Sequence, residues 1–286
     1  MKILLTGTSG QLGYELARSL QGLGQVVALD RAAMDLSDLD QVRDVIRAVQ
    51  PQLIVNPAAY TAVDKAESEP ALALRINAEA PGVMAQEAAR LGAAMVHYST
   101  DYVFDGAKAG AYVEDDATGP LNVYGASKLA GEQAIAAAGI PHLIFRTSWV
   151  YGMRGKNFLL TMLRLARERE ELRVVDDQHG APTWSRTIAD STALILAQAR
   201  TGQGDWWQRN SGVYHLSSQG QTTWFGFTQA ILAAAHIECR LIPIPSAEYP
   251  VPAPRPVNSV LSSERLMTRF CALPDWREAL HLCLER

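Results

Sequence analysis

Short apolar runs alternate with amphipathic stretches through the first half of the chain. Lys2 to Leu5 is apolar and stops at Thr6-Gly7. Gln11 to Leu20 then puts Leu12, Leu16 and Leu20 on one helical face. Val26 to Leu29 is the next strand-like run and stops at Asp30. Leu39 to Val49 reads as a helix ended by Pro51, and Leu53-Ile54-Val55 runs into Asn56-Pro57-Ala58-Ala59. Ala71 to Leu91 is helical in pattern, with Pro81 as a kink or boundary. Ala93 to Tyr98 is a fourth strand ending at Ser99-Thr100, and His142 to Phe145 is a fifth. Pro120 is placed to open the helix between them.

Repeated strand–helix alternation predicts an α/β fold, a Rossmann-type doubly wound parallel sheet with helices on both faces. In such folds ligands collect at the carboxyl ends of the strands. The second half is less regular. Asn157 to Arg169 and Phe225 to Ala235 read as helices, and Gly212 to Leu216 as a strand. Pro243 to Pro256 is too rich in proline for a continuous helix or a central strand. The chain thus divides into a dinucleotide-binding domain, residues 1–148, and a smaller, loop-rich domain, mainly residues 149–286. Part of about 182–218 is expected to return to the first domain.

Composition narrows the partners. The 286 residues are 48% hydrophobic and 20% charged, with a net charge of −4 and no basic block. Nucleic acid and anionic membrane are therefore poor partners. Arg164 to Arg173 is interleaved with Glu168, Glu170 and Glu171 and reads as a solvated helix face. The N-terminus has no signal-peptide pattern, and no apolar stretch is long enough to span a bilayer. Cys239, Cys271 and Cys283 lack metal or redox spacing and read as buried thiols of a reducing, cytoplasmic environment. His97 lies in an apolar strand and reads as a packed histidine. Trp206-Trp207 sits in a polar, loop-like stretch without an evident role.

The candidate chemistry lies at predicted strand ends. Gly7, Gly10 and Gly13 give a G-x-x-G-x-x-G turn between the first strand and first helix. Glycines there let backbone approach a pyrophosphate and aim free helix N–H groups at it. Asp30 ends the second strand, at the ~20-residue spacing of a ribose-binding carboxylate. Arg31 beside it suits a 2′-phosphate instead, so NADPH and NADH are both admitted. Asp35-Leu36 would meet the adenine if the chain folds back over it. Asn56 to Ala59 is small-residue backbone suited to lie beside a cofactor.

Tyr124 and Lys128 are four residues apart and share one helix face. A cation beside a phenol favours the phenolate, so the tyrosine is expected to ionise more readily. Such a pair occurs by chance on many helices. Thr100, at the end of the preceding strand, gives it a use. The hydroxyl and the phenol can both bind one carbonyl oxygen, and the tyrosine can protonate it after hydride addition.

The glycine turn, Ser99-Thr100-Asp101-Tyr102-Val103-Phe104, and Asn122-Val123-Tyr124-Gly125 followed by Lys128-Leu129 and Gly131-Glu132 resemble the extended short-chain dehydrogenase/reductase family. Ala62 to Glu67, Arg146 to Gly152, Asp177 to Thr183 and Arg255 to Ser259 extend the likeness nearly end to end, toward a branch acting on nucleotide-linked sugars. The resemblance implies an oxidoreductase that reduces the 4-keto group of a dTDP-sugar with NADPH or NADH. It implies Thr100, Tyr124 and Lys128 as the catalytic set. It implies cofactor contacts at Gly10, Gln11, Leu12, Asp30, Asp35, Leu36, Ala59, Tyr60, Thr61, Tyr98, Tyr124 and Lys128. Val63, Thr100, Asp101 and Trp149 would meet the substrate, and Arg255 would clamp its diphosphate.

Pro57 stands where the family usually has alanine, which removes one backbone donor near the cofactor. Some members carry magnesium at a carboxylate-built dimer contact. Glu15 fits that role, but Arg186 occupies the place of a second acid and the chain ends early, at Arg286. The expectation is therefore no metal, with Glu15 the candidate ligand should Mg2+ bind; a homodimer is compatible with the pattern. The alternatives are a nucleotide-sugar epimerase or dehydratase with the same residues, and a non-catalytic regulatory subunit on the same fold.

Overall fold

The apolar runs of the first half become β1 (Lys2–Leu5), β2 (Gln25–Ala28), β3 (Leu53–Asn56), β4 (Ala94–Thr100) and β5 (His142–Thr147). Between them lie α1 (Gln11–Ser19), α2 (Leu39–Val49), the short α3 (Val63–Ala66) and α4 (Pro70–Leu74), α5 (Ala80–Leu91) and α6 (Val123–Ala137). The structure is a computed structural model and describes residues 1–202 and 204–285, so Arg286 lies outside the described residues.

The second half contributes β6 (Val150–Tyr151), α7 (Phe158–Glu168), β7 (Glu171–Val175), β8 (His179–Gly180), β9 (Thr183–Trp184), α8 (Ser185–Thr201) and α9 (Trp206–Asn210). It continues with β10 (Gly212–His215), β11 (Thr222–Thr223), α10 (Trp224–Ala234), β12 (Arg240–Ile244), α11 (Glu264–Arg269) and α12 (Trp276–Leu284). The main sheet is parallel, with strand order β10-β5-β4-β3-β1-β2. Its sixth strand therefore comes from the far half of the chain, as does α8, which packs on α1.

Alternation along each strand feeds two cores. Ile3, Leu5, Val55, Val96 and Phe145 face α1 and α8, where they meet Leu12, Leu16, Leu20, Ile188 and Ile195. Leu4, Ile54, Met95 and Ile144 face the other way, onto Val42, Ile46, Met84 and Ile135 of α2, α5 and α6. A third core, with Leu159, Leu163, Leu172, Phe227, Ile231 and Trp276, holds the second half together.

Several local expectations need correction. Asn122, not Pro120, starts α6: its side chain accepts a 2.8 Å bond from the Gly125 N–H. The helical stretch before Leu91 contains a π-helical turn over Arg75–Glu79, ahead of Pro81. Trp206-Trp207 is not loop: it begins α9, and Trp206 packs on Phe270 in the core. Of the cysteines only Cys283 is buried. Arg164 to Arg173 is a helix face only as far as Glu168, where Arg164 pairs with Glu168; β7 follows. Pro243 lies in β12, which pairs with β7 in a two-stranded sheet, so its missing N–H disrupts no central ladder.

Candidate active site

A cleft of about 620 Å³ opens at the carboxyl ends of β1 to β5. Its floor is the glycine turn from Gly7 to Gly13, and its walls include Arg31, Asp35, Leu36, Ala59, Tyr60, Thr61, Tyr98, Ser99, Tyr124, Lys128 and Thr147. Gly13 admits no other residue without rearrangement, because a Cβ there would lie 2.2 Å from the Gly7 carbonyl oxygen. Gly10 caps α1 without any side-chain acceptor, so the first N–H groups of that helix face the turn unpaired by a cap. A pyrophosphate is the ligand such a turn fits. Ser99 Oγ and Thr147 Oγ1 are buried, line the same cleft and have no partner among the described residues. These features fit a dinucleotide.

The acidic residues at the second strand are engaged locally. Asp30 is exposed and accepts from the Ala32 and Ala33 N–H groups at 3.0 Å, closing its own turn. Asp35 accepts from the Ser37 N–H and hydroxyl, which hold its carboxyl below the usual range, and pairs at 3.5 Å with Arg31. Leu36 is buried against α2. Of the two residues that argue for different cofactors, Arg31 lines the cleft and Asp30 does not.

Loop 57–62 is held by a residue the sequence reading missed. Asn77, on the π-helical turn, accepts from the Tyr60 N–H at 2.8 Å and donates to the Tyr60 carbonyl and to Ser127 Oγ at 3.0 Å. It ties the loop to α6. Nothing in the sequence signals this beyond an asparagine inside a helical run.

Tyr124 and Lys128 do share one face of α6 and both line the cleft. Gly125 lets the helix approach closely, since a Cβ there would lie 2.1 Å from the Tyr102 carbonyl oxygen. The electrostatics differ from the expectation. Burial pushes the Tyr124 phenol up to about 12, with the Thr100 hydroxyl pulling the other way, and Asp101 adding to the rise. The Lys128 ammonium does not lower it here, because that group points elsewhere. Its Nζ donates to the Tyr98 carbonyl at 2.6 Å and lies 3.1 Å from His97 Nε2. Burial brings Lys128 itself down to about 8, against the charge of Glu132.

Thr100 donates to Asp101 Oδ1 at 2.9 Å. Asp101 is buried, its Oδ2 has no hydrogen-bond partner among the described residues, and burial raises its carboxyl to about 6 against the pull of the Ser259 and Thr100 hydroxyls. Tyr98 meets the cleft with its backbone: the phenol is turned into the core, at 2.9 Å from Thr192 Oγ1.

Beyond Tyr124 lies a second groove of about 790 Å³. Tyr102 lines it and packs edge-on against the Tyr124 ring, with 6.1 Å between centroids. Phe158, Arg169, Arg173, Trp224, Tyr249 and Arg255 are also in its lining. Arg169 and Arg173, expected on a solvated helix face, therefore border a groove. Arg255 is not a free clamp: it donates to Asp64 Oδ1 at 2.9 Å. Val63 is half-buried at the start of α3, next to Asp64, outside the lining of either cleft. Trp149, at φ +46°, is stacked on Trp224 with 3.5 Å between centroids and lies over Gly180. Glu15 sits close enough to Cys283 to raise its thiol further. Among the described residues no cluster of three or more His, Cys, Asp or Glu could hold a metal, and no helix is long and apolar enough to cross a membrane.

A parallel sheet in this order, a glycine turn after β1, a hydroxyl at the end of β4 and a Tyr-x-x-x-Lys helix together define an extended short-chain dehydrogenase/reductase fold. The comparisons specify the branch. Residues 1–286 match the family described as RmlD substrate binding domain, and the chain belongs to that family. It is 54% identical to a dTDP-4-dehydrorhamnose reductase of Burkholderia thailandensis over 293 residues, covering 99% of this chain and 98% of that one. Among solved structures it resembles a dTDP-4-dehydrorhamnose reductase from Clostridium acetobutylicum, with TM-score 0.91, 36% identity and coverage of 99% and 98%. It also resembles the Bacillus anthracis enzyme of that name in complex with NADP, with TM-score 0.89, 35% identity and the same coverage.

Proposed function

We propose that this chain reduces the 4-keto group of dTDP-4-dehydro-L-rhamnose with NADPH or NADH, giving dTDP-L-rhamnose. The observation that carries the reading is Tyr124 beside Thr100, between the glycine-turn cleft and the arginine- and aromatic-lined groove. When bound, the reduced nicotinamide supplies the hydride. The glycine turn and the α1 N-terminus would hold the pyrophosphate, with Tyr60 and Thr61 beside it. Arg31 favours NADPH, because its guanidinium borders the cleft where a 2′-phosphate would lie. The second groove suits the nucleotide end of the substrate: aromatic rings for a base, and Arg169, Arg173 and Arg255 for a diphosphate.

The residues divide the work simply. A phenol held near 12 stays protonated at neutral pH and is ready to give its proton to the alkoxide that hydride addition creates. Lys128, as an ammonium in the cleft wall, would hold the ribose hydroxyls of the cofactor. Thr100 would turn its one hydroxyl proton from Asp101, which holds it in the structure, to the substrate oxygen beside the phenol. Lys128 loses its charge as pH rises through about 8, while Tyr124 still holds its proton. The expected rate is therefore flat between about 6, where Asp101 takes up its proton, and about 8, and falls above that.

The test follows reduced-cofactor absorbance after mixing protein, NADPH or NADH, and the 4-keto sugar nucleotide across that pH range. Turnover with a declining alkaline limb is expected; no oxidation of either cofactor would overturn the reading. Tightly bound NAD in the protein as isolated would instead favour an epimerase or dehydratase, which keeps its cofactor. Gly13→Ala should weaken NADPH binding by at least roughly tenfold, about 1.4 kcal/mol, by forcing the turn apart. Gly22→Ala, where an added Cβ meets nothing within 4 Å, should leave binding unchanged. Fluorescence titration checks both, and wild-type affinity in Gly13→Ala would remove the pyrophosphate from this turn.

A further inference from the structure

Beneath Lys128 runs a buried polar chain that the reaction as described does not use. Lys128 Nζ lies 3.1 Å from His97 Nε2, and His97 Nδ1 lies 3.2 Å from the Asn56 side-chain amide. The other end of that amide meets the Thr6 hydroxyl at 2.6 Å. Thr6, Asn56 and His97 end or cross the neighbouring strands β1, β3 and β4, and all four residues are at most 1% exposed. Burial holds His97 well below its ordinary range, and the Lys128 charge adds to this, so the imidazole is neutral.

A neutral imidazole has one donor and one acceptor nitrogen. If Lys128 is an ammonium, Nε2 must accept, so the proton sits on Nδ1 and the Asn56 oxygen must face it. If Lys128 is a neutral amine, Nε2 can carry the proton and donate to Nζ. Nδ1 then accepts from the Asn56 NH2, which is the orientation in which Asn56 Oδ1 accepts from Thr6. Each charge state of Lys128 thus has its own pairing of imidazole and amide, the two differing by a tautomer and an amide flip that turns Thr6 from donor to acceptor, and the charge-assisted bond of the ammonium state is the stronger. One proton leaves the unit between them, and the imidazole stays neutral in both.

We propose that His97 is a positioning residue whose tautomer, set together with the Asn56 amide, follows the charge of Lys128 and keeps that lysine charged in the working enzyme. The proposal rests on the reading of Lys128 as part of a reductase centre, but its first test needs no turnover. The titratable and charged groups facing the pair are Tyr124 and Glu132 on α6, with Arg146 of β5 paired to Glu132. Glu132 favours the ammonium; burial disfavours it.

The first arm is 15N NMR of histidine-labelled protein, with the His97 signals assigned by their loss in His97→Gln. The expected result is a neutral Nδ1–H tautomer at low pH that converts to Nε2–H as pH passes about 8, where Lys128 loses its proton. In Lys128→Met the conversion should vanish. An imidazolium forming near pH ~6.5, the ordinary histidine value, would overturn the proposal, as would a tautomer that ignores Lys128→Met.

The second arm is the pH profile of kcat. His97→Leu removes the acceptor and should move the alkaline limb down by about one unit, a roughly tenfold change in the Lys128 proton affinity, with KM for cofactor little changed. His97→Gln can accept from Lys128 through Oε1 and donate to Asn56, and should restore the limb. A wild-type limb in His97→Leu would sink the idea. Activity absent in the wild type, with the tautomer change present, would fault the reductase reading alone.

Discussion

Tyr124→Phe should lower kcat by about 10²–10⁴-fold while the dissociation constant for NADPH stays at the wild-type value. The phenol is the group poised to protonate the reduced oxygen, and burial keeps it protonated to about 12. Phenylalanine retains the edge-on packing with Tyr102 and removes only the oxygen. Single-turnover kinetics with the 4-keto sugar nucleotide separate this loss from slower product release. A wild-type single-turnover rate would take proton donation away from Tyr124. Loss of cofactor binding in the same variant would mean instead that the hydroxyl serves the ground state.

Arg146→Met should destabilise the fold by about 3–5 kcal/mol, the cost of leaving one partner of a buried ion pair uncompensated. Arg146 makes three short contacts to Glu132, with Nε at 3.0 and 3.2 Å and Nη2 at 2.7 Å, and both side chains are almost wholly buried. The guanidinium also lies 5.1 Å over the Phe104 ring. Methionine fills the space but leaves the Glu132 carboxylate alone. The double variant Arg146→Met, Glu132→Leu should recover most of the loss, because a buried pair is worth little against apolar residues of similar volume. Urea unfolding at constant m-value checks both variants. Equal stability of the single variant and the wild type would show that water reaches the pair.

The double variant has a second consequence. Glu132 favours the charged form of Lys128. Without it, the alkaline limb of kcat should shift to lower pH even where stability has been restored. The same ion pair thus links the fold to the chemistry one helical turn away.

Much of this was legible from local pattern. Period-two and period-3.6 runs mark β1 to β5 and the helices between them, because burial of one face is imposed residue by residue along the chain. Glycines between strand and helix, a hydroxyl at a strand end, and Tyr124 with Lys128 on one helix face are also local spacings. The places where reading failed are those where partners are distant. Trp206 looked like loop because its contact, Phe270, lies far along the chain. Arg255 was read as a clamp without its partner, because Asp64 is 191 residues away. Asp30 is a local case instead: its carboxylate closes its own turn on the Ala32 and Ala33 N–H groups, which its spacing from the glycines does not reveal.

By itself, then, the sequence determined the order of the main strands and helices in the first half of the chain, the positions of the strand ends there and the residue types offered at them. The tertiary structure decided what each of those residues can do. It reversed the expected shift of Tyr124, because desolvation depends on everything packed around a phenol and not on a neighbour four residues on. It also gave Lys128, on α6, the Tyr98 carbonyl and His97 of β4 as partners, 30 and 31 residues away. Charge and proton affinity are properties of the three-dimensional environment, and in this chain that environment is assembled from strands far apart in sequence.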